Sequence, residues 1–148
     1  MKAMKNKRLA MCVAGAVSLV CITLLLNQYH EQRSINNAKS VVINLYTMNE
    51  GLDRINSIDN VRKLCTPEVA NQLIEDYDDK LLYKYLEQSG SDASVRIKYA
   101  TESYVVYSIV SDNINEDRKF IFIYQADWKG KICAVEEAEL NDFVTDDI

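Results

Sequence analysis

The side chains that could do chemistry in this 148-residue chain form a short list. His30 is the single histidine, and Ser-His-Asp or Cys-His nucleophiles both need an imidazole beside them. It stands four residues beyond the end of an apolar run, at the exit from it, where it reads as an interfacial residue with no scaffold around it. A general base would have to be a buried Asp or Glu. The partner that stabilises an oxyanion would be Tyr99, Tyr104, Tyr107 or Tyr124. Strand tyrosines are ordinarily half-buried packing residues, which weakens that pairing. Asp76, Asp78 and Asp79 lie close enough to suggest calcium, but a calcium loop needs alternating ligands and a glycine at its sharp turn. Neither is present, so these carboxylates read as a solvated helix face.

Four cysteines complete the inventory. Cys12 and Cys21 lie inside the apolar run, where cysteine behaves as a small hydrophobe. Cys65 and Cys133 lie beyond it, with no CxxC and no metal-ligand spacing. They form either one disulfide or two free buried thiols, and the second is favoured because a domain of this length needs no staple. Phosphate-cradling glycine loops are absent. The expectation is a protein that is not an enzyme, with no catalytic, cofactor-binding or metal-ligating residue and no cofactor.

The elements that position these residues begin with residues 9–26, LAMCVAGAVSLVCITLLL, eighteen residues without a charge. That reaches the lower range for a membrane-spanning helix. Lys2, Lys5, Lys7 and Arg8 precede it, and a basic flank stays cytoplasmic, which sends the rest of the chain outwards. A cleaved signal peptide is the competing reading. Its core is shorter and ends in a small-x-small site, whereas this run exits through Leu26-Asn27-Gln28-Tyr29-His30. The residues before Cys12 and Cys21 are Met11 and Val20, which do not fit a lipoprotein signal. The expected organisation is a cytoplasmic basic tail at 1–8, a transmembrane helix at 9–26 and an extracytoplasmic domain at 27–148. Localisation is then the cell membrane, single-pass, with the C-terminal domain outside.

The net charge of −5 hides an asymmetry. Beyond residue 27 there are 13 basic residues against 22 acidic ones, leaving −9. Nucleic-acid binding depends on Lys and Arg neutralising phosphates, so it is not expected.

One proline and four glycines leave little room for a linker, so the anchor should run almost directly into the first helix of the domain. Ser34 is a good N-cap for that helix. Ala38, Val41, Leu45, Met48, Leu52 and Ile55 then recur at alternating spacings of three and four. This is either a coiled-coil seam between protomers or, as favoured, a long helix laid against a sheet, with Val42, Ile43 and Tyr46 widening its face. Gly51 marks a bend or close packing. Thr66-Pro67-Glu68 is a helix start, with a capping residue, a proline at the first position and an acid at the positive end of the dipole. Val69, Leu73, Ile74, Tyr77 and Leu81 form its apolar face, and 81–86 continue or restart the helix.

Beyond Ser89-Gly90-Ser91 the period falls to two. Val95, Ile97 and Tyr99 alternate with charges, Tyr104–Val110 is β-branched and aromatic, and 120–124 and 132–135 are further strands. Turns are expected at 112–117 and at Lys129-Gly130-Lys131. Four strands with short connections make an antiparallel meander. Helices before a sheet make an α+β layer arrangement.

This element order, with LCTPEVANQL at the second helix start, resembles the nuclear transport factor 2-like cone. Tied to one N-terminal anchor, it resembles the bitopic scaffold subunits of type IV secretion and conjugation systems, of the kind found in Gram-positive conjugative elements. The resemblance implies a non-catalytic, membrane-anchored assembly subunit. Its outer domain would hold other subunits of an envelope complex, or further copies of itself as a homo-oligomer. The same cone also serves as a small-ligand or peptide-binding module, and Trp128, beside the Lys129-Gly130-Lys131 turn, is either a candidate anchor for a partner or a cap on the core.

Overall fold

A computed structural model describes residues 2–48, 54–89, 93–111 and 118–140; the side chains of residues 2–14, 88 and 89 are not described. The helices are α1 (Lys2–Thr47), α2 (Arg54–Leu64), α3 (Pro67–Glu75) and α4 (Leu81–Ser89), with a 3-10 turn at Tyr77–Asp79. The strands are β1 (Ser94–Ala100), β2 (Tyr104–Val110), β3 (Lys119–Ala126) and β4 (Ile132–Glu139). They form one antiparallel sheet in the order β1-β2-β3-β4. The class is α+β: a long helix, shorter helices, then a four-stranded antiparallel meander.

The helix expected to start at Ser34 does not start there. α1 is one helix of 46 residues, because nothing between Gly15 and Thr47 breaks it. Ser34 lies inside it, and its Oγ donates back to the His30 carbonyl at 3.0 Å instead of capping. The division expected between residues 26 and 27 is therefore not a break in secondary structure. Among the described residues, no helix is long and apolar enough to cross a membrane. Of the expected span, residues 15–26 have described side chains and residues 9–14 do not.

The second half of α1 carries the core. Ala38, Val41, Val42, Leu45 and Met48 are buried, which is the helix-on-sheet arrangement. Each fully buried aliphatic side chain of this kind contributes about 1.5–3 kcal/mol. Leu52 and Gly51 lie outside the described residues, and Ile55 is 75% exposed at the start of α2. α2 instead turns back along α1, held by a Thr47–Ser57 hydroxyl contact at 2.7 Å and by Asn60 donating to Asn44 at 3.1 Å.

Thr66 is extended before α3, as its position before Pro67 demands, though its side chain makes no cap bond. Val69, Ala70 and Leu73 face inwards, and Tyr77 and Leu82 continue the face beyond the helix. On the sheet, Val105, Tyr107 and Ile109 of β2 and Phe120, Phe122 and Tyr124 of β3 complete the core. Tyr99 departs from the alternation expected for β1. The register shifts between Ile97 and Tyr99, and this bulge turns Tyr99 outwards. The turn expected at 112–117 lies outside the described residues.

Candidate functional site

β1 begins beside the C-terminal end of α1, where the Tyr46 hydroxyl donates to the Ala93 carbonyl. It ends beside the middle of that helix, so β1 and β3 both run back towards the apolar half of α1. The β1–β2 and β3–β4 turns therefore lie at the end of the α+β domain from which that half emerges. An open cleft of about 320 Å³ forms there between Asn27, His30, Glu31 and Ser34 of α1 and Glu102, Ser103 and Ala126 of the sheet. His30 stands edge-on to Tyr29, with ring centroids 6.4 Å apart. It lines this cleft with Ser34 and Ser103, and the Ser34 hydroxyl is bonded to the His30 carbonyl, not to its ring.

The β3–β4 turn is docked onto α1. Asp127 Oδ1 accepts from the backbone N–H groups of Lys129 (2.8 Å) and Lys131 (2.9 Å). Gly130 takes a φ of +77°, open to glycine at little cost. A Cβ there would meet the Arg33 side chain at 3.2 Å. Asn37 Nδ2 donates to the Gly130 carbonyl at 2.7 Å. Trp128, at the tip, is 76% exposed and lies under the Lys129 ammonium, 4.8 Å from its ring centre. It does not cap the core.

The core-facing side of the sheet pairs a carboxyl with a candidate tyrosine. Tyr107 on β2 is fully buried, and its hydroxyl donates to Glu137 Oε1 at 3.4 Å, a long bond. Glu137 lies opposite Phe122 on β4, and its Oε2 is buried with no hydrogen-bond partner among the described residues. Burial raises its carboxyl above the usual range, while the Lys80 charge and the Tyr107 hydroxyl pull the other way. Burial, then the charge and hydrogen bond of Glu137, push the Tyr107 phenol well up. The other candidates are occupied elsewhere. Tyr124 donates to the Thr101 carbonyl at 2.6 Å, its phenol pushed to about 12 by burial and the Glu102 charge. Tyr99 and Tyr104 pack against each other, centroids 6.1 Å apart.

Cys65 and Cys133 are both free thiols. Cys65 is buried, and burial raises its thiol to about 12 against the Lys131 charge, which makes it unreactive. Cys133 is exposed, contrary to the expectation of two buried thiols. Thr66 N–H bonds to Ile132 O at 2.8 Å, which seats Cys65 beside Ile132. Ile132 faces the core, and its strand neighbour Cys133 therefore points to the other side. The three aspartates occupy the end of α3 and the 3-10 turn and not one helix face. Among the described residues no group of three or more His, Cys, Asp or Glu could hold a metal ion.

Compared with known proteins, the chain matches no family model, no curated protein and no solved structure.

Proposed function

We propose that the chain is a membrane-anchored, non-catalytic scaffold or assembly subunit of a cell-envelope secretion or conjugative transfer complex, its outer α+β domain being a nuclear transport factor 2-like cone that works through protein–protein contacts. Residues 9–26 are its single anchor, with residues 1–8 cytoplasmic. The observation that supports this is the division of labour within α1. Seven large apolar side chains from Val17 to Leu26 are between 54% and 67% exposed, while the same helix further on supplies the core. A helix that is apolar all round needs a cover, and a bilayer supplies one for an eighteen-residue run. Because the helix does not break, whatever holds its first half also orients the cone and presents the same outer faces to its neighbours.

Cross-linking in intact membranes tests this reading. A ladder of homo-oligomers, or co-purification with an ATPase and channel proteins, supports it. A strictly monomeric protein that co-purifies with a small hydrophobic molecule overturns it. That result would favour the second reading, a membrane-anchored module of the same cone that takes a small ligand or peptide. Its specific support is the buried Glu137 carboxyl beside Tyr107, whose Oε2 has no hydrogen-bond partner among the described residues.

A further inference from the structure

We infer that the β3–β4 turn, led by Trp128, is a second membrane contact, lying in the phospholipid headgroup layer of the bilayer that residues 9–26 enter. This rests on the anchor reading above and adds a surface to it. The placement is geometric. Gly130 is fixed to α1 at Arg33 and Asn37. From Leu26 the helix rises about 10 Å to Arg33 and about 16 Å to Asn37, at 1.5 Å per residue. The headgroup layer is about 5–8 Å thick on each side of the hydrocarbon, and a typical tilt of about 20° lowers one side of a rigidly attached domain towards it. β3 runs towards the apolar half of α1, and its last residue, Ala126, lines the cleft with Asn27 and His30.

The chemistry of the tip suits that layer. Trp128 is a large indole left in water, with the Lys129 ammonium over its ring. Tyr29, also exposed, lies one helical turn before Arg33 on α1. Tryptophan and tyrosine concentrate at membrane interfaces, where an apolar ring and a polar edge are both satisfied. Charge does not choose the lipid. Arg33, Lys129 and Lys131 are balanced at this end by Glu31, Glu102 and Asp127. The contact is therefore through the indole, and phosphatidylcholine suffices as the bilayer.

Trp128 is the only tryptophan in the chain, so its fluorescence reports this contact without substitution. The full chain is reconstituted into phosphatidylcholine vesicles, floated, and quenched separately by aqueous iodide and by lipids labelled at shallow or deep carbons. The expected result is flotation, protection from iodide, and quenching about twofold stronger by the shallow label than by the deep one, as an interfacial depth requires. A floating protein whose tryptophan is open to iodide and untouched by either lipid label overturns this inference and leaves the anchor standing. A tryptophan shielded from iodide yet unquenched by lipid lies under protein, which also overturns it. Failure to float removes the anchor reading and this inference together.

Discussion

Leu24, Leu25 and Leu26 are chemically equivalent to Leu45, and all four lie on one uninterrupted helix. The first three are largely exposed, and Leu45 is completely buried. What separates the two halves of α1 is pattern. The second half places its apolar residues on one broad face, opposite Asn44 and other polar residues, and the sheet covers that face. The first half is apolar all round, so no single face of the α+β domain could satisfy it. The lesson is that one helix can belong to two environments with no change in backbone. The cover of the first half has to come from outside the described part of the chain.

The contrast breaks most visibly at Leu45. Leu45→Ala opens a cavity among Val41, Val42 and the sheet and should cost about 2–5 kcal/mol of domain stability, read by chemical denaturation, with no change in flotation. Val20→Asp makes the reciprocal test. A carboxylate near the middle of a membrane helix costs about 2.5–3.5 kcal/mol in insertion. Flotation should fall while the melting of the cone stays as it was. Equal damage to both properties by either variant contradicts the division.

Smaller changes sharpen the contrast at the turn that joins cone and helix. Gly130→Ala forces a side chain into a left-handed conformation against the Arg33 stem and should cost about 1–2 kcal/mol. Hydrogen exchange would show the loss concentrated at 127–131. The smallest effect expected is at Glu137. Its carboxyl is raised in the folded state, so its contribution favours folding below the ordinary glutamate range and is lost as pH rises through the folded value. Glu137→Gln should therefore raise the melting temperature by a few degrees at neutral pH and by nothing near pH 4. An equal gain at both pH values would show that burial of the charge is not the cause.

Much of this architecture is legible in the sequence, for identifiable reasons. Tyr104–Val110 is a strand by composition and a strand in the fold, and Thr66-Pro67 marks α3 because proline permits few alternatives. The errors have physical causes too. Ser34 carries the right side chain for a cap, but a serine hydroxyl can equally bond back to the carbonyl four residues earlier, and the helix continues. Tyr99 follows the alternation of β1 only if no bulge intervenes, and the bulge depends on pairing with β2. Glu137 was missed because it stands beside Glu136 in an acidic strand end. Its parity with Val135 was the available signal, since residues two apart on a strand share a face. Trp128 could be named as an anchor, but its place near the apolar half of α1 depends on the docking of Gly130, a contact 93 residues apart in sequence.

The central claim, one helix held in lipid at its start and in the cone at its end, is tested most directly by the chain's own cysteines. Cells expressing the protein are treated with a membrane-impermeant maleimide, intact or after detergent lysis, and the labelled peptides are read by mass spectrometry. Cys133, exposed on the outer domain, should label in intact cells, Cys21 only after detergent, and Cys65 only after denaturation. Labelling of Cys21 in intact cells, or of Cys133 only after lysis, would contradict the account.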